Sequence, residues 1–367
     1  MQSEINSKKI IFRVDASLQI GSGHVMRCLT LAKSLRDSGQ SVSFICRSLS
    51  GNLNKLIYDS GFEVFELTTN NDSYEKIYDI KQLPKNKQIA DAEQTISILT
   101  KSSIKADWLV LDNYGFDQVW ENKVKNYTKK IMVIDDLANR HHSCDILLDQ
   151  SLPSDQANSY QNLLPTSCIQ LLGPKFALLR EQFKVERCKL RKRDGSISRI
   201  FVFFGGADCL NMTRLTLDAI LNLKKPELQI DVVVGKQNKH INELQNYCSN
   251  FAQINFHCQV DNIAKLMQNA DLAIGAGGST SWERCCLGLP SIVCSMADNQ
   301  DKIVNILAKA KVAKSLGKAK NIKVSDIKRQ LNALLTDQDG MLQMSKNCIK
   351  LVDAQGTGRV KKELLCL

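Results

Sequence analysis

Two arrays of short apolar runs, each run followed by a helix-spaced segment, follow one another along the chain. In the first array, residues 10–14 (IIFRV), 42–46 (VSFIC), 108–112 (WLVLD) and 131–135 (IMVID) have strand length and β-branched content. Residues 145–149 (DILLD) read as a further short strand. From His24, the apolar positions Val25, Met26, Leu29, Ala32 and Leu35 keep helical spacing until Gly39. The second array has strands at 199–204, 229–234, 272–274 and 291–294, with a helix expected over 211–223. From Asp301 onward the chain reads as helices. Strands alternating with helices imply parallel sheets covered on both faces, with ligands bound at the strand C-terminal ends. The fold class expected is therefore α/β, with two doubly wound domains.

At 367 residues the chain has room for two such domains without a metal or disulfide to hold them. Its thirteen cysteines are an odd number with no CxxC, which fits buried thiols in a reducing compartment. No run approaches the roughly 18 apolar residues of a membrane span. The polar start, Met1 to Lys9, has no leader layout, so a cytoplasmic location is the default expectation. The net charge of +11 calls for an anionic partner without naming one. Seven basic residues against two acidic ones fall between Lys184 and Arg199. They read as a solvated linker joining the arrays. With no aromatics among them, a nucleic-acid surface is not expected.

Five turns carry candidate chemistry. Gly21-Ser-Gly23 ends the first strand unit and opens a helix, where backbone N–H groups favour anions. Met26 stands where a dinucleotide fingerprint needs its third glycine, and the Lys-Ser/Thr of a P-loop is missing. His24 falls in the first helical turn, a place that favours a neutral ring able to act as a base. Packing or capping is the plainer reading of a single histidine, and local chemistry leaves the two even. Gly275-Ala-Gly-Gly-Ser279 precedes Thr280 and Glu283. A capping box explains Thr280 and Glu283 but not three glycines, so Gly277, Gly278, Ser279 and Thr280 are read as a phosphate cradle and Glu283 as a ribose acceptor. At Gly205-Gly206-Ala-Asp208, an anion turn and an Asp208 helix cap are nearly equal readings. Asp298-Asn299-Gln300 and Asp112-Asn-Tyr114 follow strands and offer amide and phenol groups. Together these turns suggest a nucleoside diphosphate held between two Rossmann-like domains, with no metal cluster and no catalytic carboxylate pair.

The same residues resemble a known family. Arg13-x-Asp15, Ile20-Gly-x-Gly-His24-Val-Met-Arg, Asp112-x-Tyr114, Gly173-Pro-Lys-Phe through Arg180, Gly275-Ala-Gly-Gly-Ser-Thr-x-Trp-Glu283 and Ala297-Asp-Asn-Gln300 occur in the order found in the UDP-sugar hydrolases of pseudaminic acid biosynthesis. Those enzymes cleave UDP-2,4-diacetamido-2,4,6-trideoxy-β-L-altropyranose to UDP and the free sugar. The resemblance implies a GT-B-like fold facing a central cleft, akin to the transferase that adds GlcNAc to lipid-linked muramyl pentapeptide. It implies His24 as general base, with Tyr114 and Asn299 placing the water or the sugar. It implies substrate or UDP contacts from Asp15, Gly21, Gly23, Arg180, Gly206, Gly277, Gly278, Ser279, Thr280, Glu283 and Gln300. Domains are expected over residues 1–185 and 186–350, with a helix at 351–367 returning toward the first. Neither cofactor nor metal is expected, because a nucleoside diphosphate leaves as a stabilised anion and needs no acid. The partner expected is the UDP-sugar alone, on a chain taken as a monomer without stable membrane insertion. A GT-B glycosyltransferase, a non-catalytic nucleotide-sugar binder and, further off, a nicotinamide oxidoreductase are the competing readings.

Overall fold

A computed structural model describes residues 7–67, 82–102, 105–151, 159–298 and 300–367. Among them the chain forms two compact units, Met1–Leu178 with Gln355–Leu367, and Leu179–Ala354.

The first unit is built on strands β1 (Lys9–Val14), β2 (Ser41–Arg47), β3 (Glu63–Leu67), β4 (Ala106–Asp112), β5 (Thr128–Ile134), β6 (Ile146–Asp149) and β7 (Ile169–Leu172). All pair in parallel, in the order β3-β2-β1-β4-β5-β6-β7. Helices α1 (Gly23–Arg36), α2 (Asn54–Asp59), α3 (Lys85–Lys101) and α4 (Gln118–Val124) connect them. Successive side chains of a strand point to opposite faces. Hence Ile10, Phe12 and Val14 pack with Val25, Leu29 and Leu35 of α1. Ile11 joins Ile45, Leu109 and Leu111 over Trp120 of α4 on the other face. This double burial is why the strands read as unbroken apolar runs.

The second unit has helices α5 (Glu181–Arg187), α6 (Met212–Leu221), α7 (Ile241–Cys248), α8 (Ile263–Asn269), α9 (Thr280–Cys286), α10 (Gln300–Lys309), α11 (Val324–Leu335) and α12 (Gln338–Leu351). They surround strands β8 (Arg199–Phe203), β9 (Gln229–Val234), β10 (Ile254–Cys258), β11 (Leu272–Ala276), β12 (Ser291–Ser295) and β13 (Ala313–Lys318). The order β10-β9-β8-β11-β12-β13, again parallel, is that of a doubly wound dinucleotide-binding sheet. The chain then rejoins the first unit through α13 (Gly356–Cys366). Val360 and Leu364 of α13 are buried in the α1 core, and the Leu364 carbonyl accepts from Trp108 Nε1 at 2.9 Å.

Two expectations are corrected. The region after residue 301 is not wholly helical, since AKSLGK at 313–318 forms β13. That sequence has no apolar run because it is an edge strand paired only with β12. The basic stretch is not a solvated linker either. Arg193 is 9% exposed, and its Nη1 donates to the Leu287 carbonyl at 2.7 Å and Nη2 to the Ala270 carbonyl at 3.0 Å. Arg191 Nε donates to the Gln268 carbonyl at 3.1 Å, and Arg187 Nη2 to the Ile349 carbonyl at 2.9 Å. These carbonyls lie at the C-terminal ends of α8, α9 and α12, where orphan acceptors and the negative end of the dipole favour guanidinium. Burial first, then the charge of Arg191, pushes Arg193 down to about 10.

Candidate functional site

In both sheets the strand order reverses beside the first strand, between β1 and β4 and between β8 and β11. Ligands of doubly wound sheets bind outside the strand ends at such points. Four of the five turns singled out in the sequence lie at the ends of these strands, and the turn leading to Gln300 follows β12.

In the first unit, Gly21 has φ +81, a conformation that glycine adopts at little cost and side-chain-bearing residues rarely take. It turns the chain so that α1 starts at Gly23 and puts His24 in its first turn. His24 Nδ1 lies 2.5 Å from Asp112 Oδ1 at the tip of β4. A carboxylate only accepts, so Nδ1 is the donor of this pair, and in the neutral ring Nε2 presents its lone pair. Nε2 has no hydrogen bond among the described residues. Asp112 is itself clamped by Arg27, whose Nε reaches Oδ2 and whose Nη2 reaches Oδ1, each at 2.6 Å. Burial alone would raise the Asp112 carboxyl. Arg27 and His24 outweigh it and hold the group well below the usual carboxylate range. The Tyr114 ring stands edge-on to the His24 ring, centroids 4.7 Å apart. Its hydroxyl donates to Asp136 Oδ1 at 2.6 Å.

Asp15 takes a different place from the one expected. It is 2% exposed, and its oxygens accept from Arg13 Nη1 at 2.6 Å, the Arg47 backbone N–H at 2.7 Å and Asn113 Nδ2 at 3.1 Å. With two donors on Oδ1 and one on Oδ2, this buried carboxylate supports the strand tips.

At the tip of β6, burial and then the charge of Asp136 push the Asp149 carboxyl up to about 6. A folded-state pKa above that of the unfolded chain stabilises the fold below the unfolded value, near 4, and this contribution is lost as pH rises through 6. Asp149→Asn is therefore expected to gain up to about 3 kcal/mol at pH 8 and little at pH 4. Thermal melts at the two pH values check it; an equal shift at both would refute the assignment.

In the second unit, the Arg180 guanidinium meets Glu283 Oε1, with Nη2 at 2.7 Å and Nε at 3.2 Å. Glu283 Oε2 is buried with no hydrogen-bond partner among the described residues. Buried carboxylate oxygens are normally satisfied, so this one marks a place for a donor. The capping box is absent: Ser279 is the N-cap residue without a side-chain cap, and Glu283 turns to Arg180 instead. The glycines divide. A Cβ on Gly275 would stand 2.1 Å from the Phe203 carbonyl oxygen, and one on Gly277 2.2 Å from Val304 Cγ2. Packing thus explains these two, and the count of three glycines no longer argues for phosphate by itself. Gly278 has only Gln300 Nε2 near its Cβ position, at 3.7 Å. Ser279 is exposed and Thr280 half-buried beside it. Gln300 is fixed by the Met296 N–H on its Oε1 at 3.0 Å, which leaves the Nε2 side facing Gly278. Gly206 backs onto Gly235, where a Cβ would come within 2.6 Å of its backbone. Asp208 accepts from the N–H groups of Met212 and Thr213, each at 2.9 Å, and so satisfies the first turn of α6 although Asn211 is its N-cap residue. Asn299 lies outside the described residues.

Asp112 and Asp135 are the last residues of two of the strand-length runs, and the sequence alone gives neither a role. Nor does it show that Asp112 holds His24, that Arg27 anchors Asp112, or that Asp136 reaches Tyr114. Asp135 is buried against Arg140. Among the described residues no group of three His, Cys, Asp or Glu could hold a metal ion. No described helix is long and apolar enough to cross a membrane.

Residues 199–358 match the glycosyltransferase family 28 C-terminal domain. A UDP-2,4-diacetamido-2,4,6-trideoxy-beta-L-altropyranose hydrolase of Campylobacter jejuni is 31% identical over 302 residues, 82% of this chain and 96% of that protein. An uncharacterized protein of Methanocaldococcus jannaschii is 27% identical over 293 residues, 78% of this chain and 55% of that protein, so the chain spans about half of that relative's length. Among solved structures, MurG of Acinetobacter baumannii superposes with a TM-score of 0.65 over 98% of this chain and 100% of its own, at 14% identity. That likeness, with two parallel-sheet α/β units, gives the GT-B fold.

Proposed function

The chain belongs to the family of the UDP-2,4-diacetamido-2,4,6-trideoxy-beta-L-altropyranose hydrolase, and from this premise we propose that it hydrolyses such a UDP-sugar in pseudaminic acid biosynthesis. Water attacks the anomeric carbon, inverts it and releases UDP and the free diacetamido sugar. One observation carries the reading: His24 holds its Nδ1 proton against Asp112 and leaves Nε2 open. An imidazole so fixed is a general base, and Asp112 stabilises the imidazolium formed when it takes a proton, as in Asp-His pairs of hydrolases. The leaving nucleotide needs no general acid, unlike the sugar of an ordinary glycoside.

The second unit supports a nucleotide grip. Gly278, Ser279, Thr280 and the Gln300 amide suit the phosphates, with Gly206 at the neighbouring turn. Arg180 steadies Glu283, whose free Oε2 suits the ribose hydroxyls. Glu283→Gln is expected to weaken UDP binding about tenfold or more, since hydrogen bonds to a charged group contribute about 1.5–3 kcal/mol. Calorimetric titration with UDP reads this; unchanged affinity would take the ribose away from Glu283. Gly21 and Gly23 serve here by shaping the turn that presents His24.

The test is UDP release from the diacetamido-trideoxy-altrose nucleotide in ¹⁸O-water, with chelator, with and without acceptors. Label in the sugar without acceptor supports hydrolysis at carbon, and turnover under chelator supports metal independence. The match to a glycosyltransferase C-terminal domain favours one alternative, transfer to a hydroxyl acceptor. Turnover that begins only when an acceptor is added would establish that alternative.

A further inference from the structure

Tyr114 and His24 share a carboxylate-held geometry. The Tyr114 hydroxyl is 2.6 Å from Asp136 Oδ1. Because the carboxylate can only accept, the phenol proton points at Asp136 and the oxygen lone pairs point elsewhere. Burial and then the charge of Asp136 push the Tyr114 hydroxyl well above its usual range, so it keeps that proton. Asp136 Oδ2 is in turn 3.8 Å from Arg27 Nη1, while Arg27 Nε and Nη2 are committed to Asp112. A single arginine thus sits against both carboxylates, and each carboxylate sets the polarity of one ring. His24 and Tyr114 stand edge to face at 81°. Both rings are left as acceptors at their unbound atoms: Nε2 of His24 and the oxygen of Tyr114.

We propose that Asp136 is a positioning residue that turns Tyr114 into a hydrogen-bond acceptor, so that the attacking water is held by two acceptors, His24 Nε2 and Tyr114 Oη. This rests on the hydrolytic reading given above. A water that donates both hydrogens has its lone pairs left for carbon. In the step itself, the water oxygen bonds to the anomeric carbon as the bond from that carbon to the β-phosphate oxygen breaks. The bonding pair leaves with UDP. One water proton passes to His24 Nε2, and the other remains on the new sugar hydroxyl, released from Tyr114.

The wild type, Tyr114→Phe, Asp136→Asn, Asp136→Glu and the Tyr114→Phe/Asp136→Asn pair are assayed for UDP release, with thermal melts and UDP titrations alongside. An asparagine amide can donate to the phenol oxygen and reverse its polarity. Asp136→Asn is therefore expected to lower kcat about tenfold or more, with KM and UDP affinity within about twofold. Tyr114→Phe is expected to lose a similar factor, and the double variant no more than Tyr114→Phe alone. Asp136→Glu, which keeps an acceptor-only group, is expected to recover part of kcat. Asp136→Ala takes the place of the asparagine variant if that one does not fold. Wild-type kcat in Asp136→Asn, additive losses in the pair, or a glutamate variant as poor as the asparagine one would overturn the proposal while leaving hydrolysis intact. A wild type that does not hydrolyse the UDP-sugar without acceptor takes both readings down.

Discussion

His24→Ala is expected to lower kcat for UDP release by about 10³-fold, within the 10²–10⁴ that general-base catalysis supplies. KM and the affinity for UDP are expected to stay within a few-fold. The positive φ of Gly21 lets the chain turn into α1 and seats the His24 ring against the tip of β4. The Asp112 carboxylate then fixes the ring by Nδ1 at 2.5 Å, and Arg27 keeps Asp112 ionised and immobile. What remains unbound is Nε2, the one atom a base needs. An interaction that exists only while water is losing its proton changes kcat and leaves ground-state binding alone. Steady-state rates beside UDP calorimetry separate the two. A His24→Ala protein that loses UDP affinity while retaining kcat would make His24 a ligand contact and move the base elsewhere. A protein that binds and never turns over, wild type included, would leave a nucleotide-sugar binder.

The layout of the chain was legible because burial on both faces writes strands as apolar runs. Residues 10–14, 108–112 and 199–204 could be placed within a few residues for that reason. β13 was not legible, since an edge strand needs apolar residues on one face at most and AKSLGK shows no run. The turns were legible as glycine and polar clusters, but their purposes were not. Nothing in Gly275-Ala-Gly-Gly says that two of its glycines answer to the Phe203 carbonyl and to Val304. Likewise Arg187, Arg191 and Arg193 read as a charge run because carbonyls at distant helix ends leave no mark in local sequence. His24 was visible through its neighbours Gly21 and Gly23. Its partner Asp112 is 88 residues away, and only the pairing of β1 with β4 brings their tips together. Arg13-x-Asp15 shows the same limit from the other side. Charged residues at a strand end look like a ligand site when the carboxylate that neutralises them lies on a helix far along the chain.

That helix is α3, and it supports the second large expectation. Asp91→Leu should cost about 3–5 kcal/mol, the usual loss when one partner of a buried charge cluster is removed. Asp91 is fully buried, and its carboxylate accepts from Arg13 Nη2 at 2.6 Å, Arg47 Nη2 at 2.5 Å and Trp120 Nε1 at 2.9 Å. Arg13 and Arg47 are themselves 0% exposed. Leucine would leave Arg13 with its bond to Asp15, and Arg47 with the Gln94 amide oxygen at 2.8 Å. The loss is large against a typical stability of about 5–15 kcal/mol, and corresponds to a melting shift of roughly 10 °C for a unit of this size. Burial would raise the Asp91 carboxyl, but the two guanidiniums outweigh it and lower it. A folded-state pKa below the unfolded one stabilises above the unfolded value, near 4, and the benefit fades as pH falls through the folded one. The gap between wild type and Asp91→Leu should therefore be full at pH 7 and narrow below about pH 4. Scanning calorimetry across pH measures it, and an unshifted melt at pH 7 would show that the two arginines find other partners. Because Asp15 also holds Asn113, the residue between Asp112 and Tyr114, loosening this cluster should reach the strand tips where we propose the water is activated. Asp91→Leu should then lose some kcat even at temperatures where it is fully folded.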